Sequence, residues 1–305
     1  MLKGRNLISL QDFSPDEIET ILQVSLDLKH EKLRGESLQS LRGKTLAMIF
    51  DRPSTRTRVS FESAMTELGG HAQYLTYGDL QVSRGEPWSD TARVLSRYVS
   101  GIMLRGRHSD AGQLAKFASV PVISGSTGLT HPCQALADLL TIKEKKRSFR
   151  GLRLAICWGF SSEVRNKPPG VIHDLSYASS CLGIETVIAA PEEYLPDVSF
   201  EGVTFVDSLR EAATNADAVY SKSWVPWSIW SKENADPFTD PKLREWRVTA
   251  SLMKYAAKNA IVLHPMPAYR GEEIDAEVLD GPQSAIIEQA ENRLNAQKGV
   301  LNLLL

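Results

Sequence analysis

A five-residue run, Ser54-Thr55-Arg56-Thr57-Arg58, combines hydroxyl and guanidinium side chains in a way that suits chemistry on an anion. The serine and the two threonines offer hydroxyl groups, and the two arginines offer positive charge. Backbone N–H groups at the start of a following helix would add further donors. Together these groups predict a phosphate site. The same residues would also suit a polar helix start with arginines in water, so both interpretations stay open on spacing alone.

The elements around this run predict where it lies. Residues 45–50 form a short apolar run typical of a buried strand, and residues 59–68 return to helical spacing before two glycines. Loops that follow parallel strands gather at the carboxyl edge of a sheet, where ligands bind. The loop at residues 51–58 is therefore placed to meet a ligand.

Short apolar strands and helices alternate along the rest of the chain. Further strands are predicted at residues 71–75, 101–104, 120–124, 153–158, 185–190, 203–205, 218–221 and 260–263. Helices are predicted after Ser14, at 88–98, 108–117 and 132–146, and in the tail from 286 to 305. This alternation predicts mostly parallel sheets covered on both faces.

The pattern predicts an α/β fold with two doubly wound parallel-sheet domains and a cleft between them. A chain of 305 residues exceeds what one core usually serves. The first domain is predicted at residues 1–146 and the second at 147–286. The C-terminal helix at 287–305 ends in apolar residues, so we expect it to pack back on the first domain.

Composition excludes several classes of protein. Hydrophobic residues make up 42% and charged residues 24%, which is ordinary for a globular protein. A net charge of -2 gives no electrostatic reason to expect a nucleic-acid or membrane partner. Three cysteines without CxxC spacing suggest neither disulfides nor a zinc site, so we expect a cytoplasmic protein. The dinucleotide pattern GxGxxG is missing, which argues against a nicotinamide-dependent dehydrogenase.

Several stretches resemble the aspartate and ornithine carbamoyltransferase family. Residues 50–61, with the phosphate run at their centre, are similar to its carbamoyl-phosphate loop. Residues 84–98 and 102–106 are similar to the ornithine enzymes. His131-Pro132-Cys133-Gln134 and His264-Pro265-Met266-Pro267 match the HPxQ and HxxP signatures of the family, and Arg293 stands where the family carries an arginine for carbamoyl phosphate.

The resemblance implies roles for these residues. The catalytic set is Arg56, Arg105, His131 and Gln134. The residues implied to hold carbamoyl phosphate are Ser54, Thr55, Arg56, Thr57, Arg105, His131, Gln134, Pro265, Met266 and Arg293. Attack by a neutral amine builds negative charge on the carbamoyl oxygen, which donors from Arg105 and His131 would stabilise.

The second half departs from the ornithine enzymes. Where those enzymes carry an aspartate and a Ser-Met-Gly stretch, this chain has Lys222-Ser223-Trp224, which resembles the N-acylornithine carbamoyltransferases. The proline-bearing loop at residues 160–170 is also more similar to that group. We therefore assign acceptor binding to this lysine, serine and tryptophan, together with Trp88 of the first half. Alternatively, the tryptophans at 224, 227 and 230 form a packed helical stripe.

The resemblance predicts transfer of a carbamoyl group from carbamoyl phosphate to ornithine or an ornithine-like amine, with or without an N-acyl group. Other acceptors, namely aspartate, putrescine or diaminopropionate, stay open, as does a non-catalytic member of the fold. The resemblance also implies a homotrimer or a higher assembly of trimers, and arginine biosynthesis as the pathway. No cofactor, metal, nucleic acid or membrane is expected to take part.

Overall fold

The computed structural model describes residues 2–232 and 241–305, apart from the side chains of Arg165 and Pro241. Within this part, strands and helices alternate. The strands are β1 (Thr45–Phe50), β2 (His71–Thr76), β3 (Gly101–Arg105), β4 (Val122–Ser126), β5 (Arg153–Trp158), β6 (Glu185–Ala189), β7 (Val203–Val206), β8 (Ala218–Lys222) and β9 (Ile261–Leu263). The α-helices are α1 (Pro15–Leu33), α2 (Thr55–Glu67), α3 (Trp88–Tyr98), α4 (His108–Phe117), α5 (Pro132–Lys146), α6 (Gly170–Cys181), α7 (Leu209–Ala213), α8 (Trp227–Trp230), α9 (Ala250–Met253), α10 (Ala276–Leu279) and α11 (Ile286–Leu304).

The chain divides into two compact units. The first unit runs to Leu140 and includes Glu291–Leu305, and the second unit is Thr141–Ala290. The sequence predicts these divisions after residues 146 and 286, at the last residue of α5 and the first residue of α11. Each unit holds one parallel sheet, with order β2-β1-β3-β4 in the first and β7-β6-β5-β8-β9 in the second. The prediction of two parallel-sheet α/β domains is confirmed.

In the first unit, the strands next to the phosphate run end together. Phe50, the last residue of β1, pairs with Thr76 of β2 and with Arg105 of β3. Nearly all of β1 is buried, as expected for a central strand of a sheet covered on both faces. The residues that follow these three strands therefore meet at one carboxyl edge.

Helix α1 begins where the sequence predicts, at a capping box. Ser14 Oγ accepts from the N–H of Glu17 at 3.3 Å, and the Glu17 carboxylate accepts from the N–H of Ser14 at 2.9 Å. Pro15 occupies the first turn, where its missing N–H costs nothing. These contacts satisfy two donors that a helix start would otherwise leave to water.

Helix α11 packs on the first unit, as the apolar tail predicts. Gly299 lies so close to α1 that a side chain there would collide with Ser25. The buried amine of Lys298 donates to the Glu67 carboxylate at 3.0 Å, and Gly4 N–H donates to the carbonyl of Leu304 at 2.9 Å. The last helix is thus an integral part of the first unit.

Two predicted elements differ in the structure. Helix α2 begins at Thr55 rather than at residue 59, so most of the phosphate run forms its first turn. Its polar side chains carry no apolar spacing, which hid the first turn from sequence analysis. The tryptophan stripe is also wrong: Trp224 is buried before the four-residue helix α8, and only Trp227 and Trp230 stack on each other, with ring centroids 5.4 Å apart.

Candidate active site

The first turn of α2 presents most of the phosphate run at the carboxyl edge of the first sheet. Ser54 precedes the helix and makes no side-chain capping bond, so its hydroxyl and that of the exposed Thr55 lie beside unsatisfied backbone N–H groups. An anion is the ligand such a helix start favours, because the helix dipole and the free donors act together.

The arginines near this turn differ in what they contact. Arg52 forms two hydrogen bonds of 2.9 Å with its neighbour Asp51. Arg58 lies over the ring of Tyr74, 3.7 Å from the centroid, and pairs with Glu62 at 3.6 Å. Arg56 forms no hydrogen bond or ion pair within the described residues, and partial burial lowers the pKa of its guanidinium. Of the two arginines in the run, Arg56 is therefore the one available to a ligand.

Thr57 is the meeting point of two further arginines. Its side chain is buried, and its hydroxyl oxygen accepts from Arg105 at 3.3 Å and from Arg293 at 3.1 Å. Arg105 comes from the end of β3 and Arg293 from α11. Two arginines that lie far apart in the sequence thus converge on one hydroxyl group.

Gln134 extends this cluster to the start of α5. Its amide oxygen accepts from Arg293 at 2.6 Å, and its amide nitrogen donates to Asp138 at 2.7 Å. His131 directly precedes α5, and its carbonyl accepts from the backbone N–H of Gln134 at 3.1 Å. Five of the residues predicted to meet carbamoyl phosphate are therefore joined by contacts or adjacent positions: Thr57, Arg105, His131, Gln134 and Arg293.

The charge of this cluster is strongly positive. Burial, together with the nearby positive charges of Arg293 and Arg52, lowers the pKa of Arg105 to about 10. A guanidinium that is kept from water among like charges gains free energy from an anion that enters its surroundings. The first unit can therefore hold a phosphate and also place donors on a neighbouring carbonyl oxygen.

Trp88 begins α3 in the first unit. Its ring meets Tyr77 edge to face, with centroids 5.4 Å apart, and is part of the apolar cluster under α3 and α4. No contact of Trp88 with the phosphate cluster is seen within the described residues of this unit.

In the second unit, Lys222 is the last residue of β8. Its amine donates to the carbonyls of Pro168 at 2.9 Å and Ser223 at 2.8 Å. Burial lowers the pKa of Lys222 to about 7, and the positive charge of Lys167 acts in the same direction. The predicted acceptor lysine thus lies buried at the carboxyl edge of the second sheet.

The two residues after Lys222 face the interior of the unit. Ser223 donates to the carbonyl of Gly159 at 2.5 Å, and the indole N–H of Trp224 donates to the carbonyl of Tyr194 at 2.8 Å. Both side chains are fully buried. In this structure they anchor the loop after β8, and of the three predicted acceptor residues here only Lys222 places an ionisable group at the sheet edge.

A buried carboxylate that sequence analysis did not assign to the site organises this edge. One oxygen of Glu273 accepts from Lys167 at 3.0 Å, from His264 Nε2 at 3.1 Å and from the N–H of Tyr269 at 3.2 Å. Burial works to raise the pKa of Glu273, but the hydrogen bond from His264 and the charge of Lys167 outweigh it and hold the pKa below its usual value. The sequence feature that could have revealed Glu273 is its position shortly after the HxxP signature.

The same network fixes the HxxP loop, which holds the predicted ligands Pro265 and Met266. Met266 has a left-handed backbone, with φ of 52°, and its N–H donates to His264 Nδ1 at 2.9 Å. Burial lowers the pKa of His264, so the ring is neutral and its one proton lies on Nε2, facing Glu273. Glu273 and His264 thereby hold Met266 in a conformation that costs free energy for a residue with a side chain.

Neither a metal site nor a membrane segment is seen in the described ranges. Within residues 2–232 and 241–305, His, Cys, Asp and Glu side chains form no group of three placed to bind a metal ion. None of the helices described there has the length and apolar character needed to cross a membrane.

Comparison with known proteins gives matches along the chain. Residues 5–144 match the family model of the aspartate/ornithine carbamoyltransferase carbamoyl-P binding domain, and residues 165–304 match that of the Asp/Orn binding domain. An ornithine carbamoyltransferase of Pyrococcus abyssi is 45% identical over all of this chain and 96% of its own length.

Solved structures give the same result. The ornithine carbamoyltransferase of Pyrococcus furiosus is 42% identical and superposes with a TM-score of 0.88, covering 99% of this chain and 97% of its own. An N-acetyl-L-ornithine transcarbamylase is 26% identical, with a TM-score of 0.88 over 99% of this chain and 100% of its own.

Proposed function

Because this chain belongs to the aspartate/ornithine carbamoyltransferase family, we propose that it transfers the carbamoyl group of carbamoyl phosphate to ornithine or an ornithine-like amine. The observation that carries the proposal is the convergence of Arg105 and Arg293 on Thr57, next to Gln134. Binding a phosphate alone would not require the second cluster of donors beside the helix start. A ligand in which a carbonyl group is joined to a phosphate would contact both the helix start and the second cluster of donors.

The reaction follows from these positions. The first turn of α2 and Arg56 hold the phosphate, while Arg105, His131 and Gln134 hold the carbamoyl group. The neutral amine attacks the carbamoyl carbon and a C–N bond forms. Negative charge then builds on the carbamoyl oxygen, where fixed donors lower the barrier. The C–O bond to phosphate breaks, the proton of the amine passes to the leaving phosphate, and the phosphate departs beside Arg56.

The acceptor is assigned to the second unit through Lys222. At this sheet edge Lys167 and Lys222 face a single buried carboxylate, Glu273, which already accepts three hydrogen bonds. A further cationic group, added to these two lysines, would be poorly held there. This charge balance favours an acceptor whose non-reacting end is a carboxylate or an acyl oxygen, as in an N-acylated ornithine, over one with a free ammonium group.

Carbamoyl transfer is tested by phosphate release from carbamoyl phosphate in the presence of single amines. The panel is ornithine, N-acetylornithine, N-succinylornithine, putrescine, lysine, diaminopropionate and aspartate. We expect the highest kcat/KM with ornithine or one of its N-acyl derivatives. If no amine causes phosphate release, although calorimetry shows that carbamoyl phosphate still binds, the chain is instead a non-catalytic member of the fold.

The role of Lys222 has its own measurement. Lys222→Ala should raise the KM of the acceptor and leave the Kd of carbamoyl phosphate unchanged. Equal losses of both affinities would contradict the assignment of donor and acceptor to separate units. Lys254→Ala is the matched control, because Lys254 is exposed on the same unit.

We also propose a homotrimer that works in arginine biosynthesis in the cytoplasm. Support for the trimer and the compartment is the family resemblance, and a Pyrococcus furiosus relative 43% identical to this chain is named an anabolic ornithine carbamoyltransferase. Light scattering should give a mass of three times 33.8 kDa or a multiple of that trimer. Growth of an arginine auxotroph that lacks ornithine carbamoyltransferase, restored by this chain, would support the pathway.

A further inference from the structure

Tyr77 follows β2 and reaches the segment that carries Arg105. Thr76 and Arg105 both pair with Phe50 of the intervening strand β1, so Tyr77 and Gly106 are the next residues on either side of it. A Cβ atom at Gly106 would collide with the hydroxyl of Tyr77 and lie 3.1 Å from its Cζ. The phenol therefore crosses the end of β1 and occupies the space that a side chain at Gly106 would need.

The hydroxyl of Tyr77 ties down the residues after Arg105. It donates to the Asp110 carboxylate, in the first turn of α4, at 2.7 Å. Burial and the hydrogen bond to Asp110 raise the pKa of Tyr77, so the phenol stays a donor at any working pH. This bond links the residue after β2 to the first turn of α4, the helix that follows Arg105 in the chain.

Arg105 depends on such support because its own side-chain contacts are weak. Its guanidinium is 3.3 Å from the Thr57 hydroxyl and 3.4 Å from the carbonyl of Gly125. Its Nε has no hydrogen-bond partner in the described part of the chain. The positive charges of Arg293 and Arg52 also repel the guanidinium of Arg105. The backbone that follows Arg105 must therefore fix where the side chain starts.

We propose that Tyr77 is a positioning residue for Arg105, acting through its hydroxyl bond to Asp110 and through close packing on Gly106. The proposal rests on the function proposed above, in which Arg105 contacts the carbamoyl group. Trp88 supports the same arrangement, since its ring packs edge-on against the ring of Tyr77. Tyr77 itself touches no reacting atom in this scheme.

Tyr77→Phe keeps the ring and its packing on Trp88 but removes the hydroxyl. We expect the Kd and KM of carbamoyl phosphate to rise roughly tenfold, because a small displacement of a ligand-contacting group costs much of its effect. The KM of the acceptor should stay within about twofold of the parent value. Tyr98→Phe is the matched control, since Tyr98 is an exposed tyrosine of the same unit, and it should change neither constant.

The close contact with Gly106 gives a second, independent test. Gly106→Ala should weaken carbamoyl-phosphate binding on the order of a hundredfold, because the new methyl group displaces either Tyr77 or the strand end. The double variant Gly106→Ala/Tyr77→Phe should bind more tightly than Gly106→Ala alone, since phenylalanine lacks the hydroxyl oxygen that comes nearest to the new methyl group. A double variant that binds no better would overturn the packing argument.

Variants of Asp110 distinguish a positioning role of Tyr77 from a general effect on stability. Asp110→Asn keeps an acceptor for the phenol and should stay within about twofold of the parent in carbamoyl-phosphate binding, while Asp110→Ala should resemble Tyr77→Phe. The binding of carbamoyl phosphate to Arg105→Ala is measured in the same experiment. If Arg105→Ala binds carbamoyl phosphate normally, the proposed role of Arg105 fails. If Arg105→Ala is impaired and Tyr77→Phe is not, the role of Arg105 stands and the positioning role of Tyr77 is wrong.

Discussion

The guanidinium of Arg293 lies 2.6 Å from the amide oxygen of Gln134, although 159 positions separate the two residues in the chain. The other terminal nitrogen of Arg293 donates to Thr57 at 3.1 Å. One arginine of the last helix therefore holds together the starts of α2 and α5. The predicted ligands of carbamoyl phosphate take their relative positions from it.

Arg293→Lys should weaken the binding of carbamoyl phosphate. A lysine amine cannot reach both partners in the planar geometry of a guanidinium. The loss of hydrogen bonds from a charged group predicts a Kd increase of about tenfold or more, which isothermal calorimetry measures. Arg93→Lys is the control, because Arg93 is exposed on α3. An unchanged Kd in Arg293→Lys would show that Arg293 does not organise the site.

Arg56→Ala and Arg58→Ala form a matched pair within one helical turn. Arg56 has no partner in the described residues, whereas Arg58 is engaged by Tyr74 and Glu62. We expect Arg56→Ala to raise the Kd of inorganic phosphate and of carbamoyl phosphate by about tenfold or more. Arg58→Ala should change both by less than about twofold. A larger loss in Arg58→Ala than in Arg56→Ala would contradict the proposal, because it would mean that Arg58 binds the phosphate.

The low pKa of Lys222 predicts a pH dependence of stability. The pKa is about 7 in the folded chain and 10.5 ordinarily, so between these values the unfolded chain holds a proton that the folded chain has lost. The free energy of unfolding should rise with pH across this window, by at most about 1.4 kcal/mol per pH unit. Below pH 7 both states hold the proton and the contribution is constant.

Urea unfolding at about pH 7.5 and about pH 9.5 measures this slope. Lys222→Met should flatten it, because the variant has no amine to titrate, whereas Lys254→Met should keep the slope of the parent. A slope that is the same with Lys222→Met would mean that the folded chain keeps Lys222 charged.

Glu273→Gln should destabilise the second unit. It leaves the partly buried amine of Lys167 without the buried carboxylate, and removal of one partner from a buried ion pair costs about 3 to 5 kcal/mol. Chemical unfolding measures this loss. Arg270→Met supplies the control, because the Arg270–Asp280 pair is exposed and its loss should be much smaller. A double change, Lys167→Met with Glu273→Gln, should cost less than the sum of the single changes if the two residues act as a pair.

Sequence analysis predicted the regular elements well where apolar spacing and end signals agreed. Helices α3, α4 and α5 have the bounds that spacing predicts, and α1 begins at the predicted capping box. The start of α2 was missed because its first turn faces outward with polar side chains. The spacing of apolar residues reveals a helix only where its buried face is apolar, and the buried residue of this turn, Thr57, is polar.

The contacts that build the site were mostly outside the reach of local patterns. The resemblance named Arg293 and Gln134, but no spacing in the sequence shows that they touch. Glu273 and Tyr77 were not assigned because each acts on a residue from another loop of the same sheet edge. Their partners, Lys167 and Asp110, become visible only when strands far apart in sequence end side by side.

The return of α11 to the first unit has a consequence for synthesis on the ribosome. Domains usually fold in the order in which they are translated. Here the first unit contains Glu291–Leu305, while the second unit is one continuous segment. We therefore expect the second unit to complete its core first. The first unit can complete its core only after α11 has been synthesised. Since Arg293 belongs to α11, a nascent chain completes the cluster of Thr57, Arg105 and Arg293 only after the whole second unit has been translated.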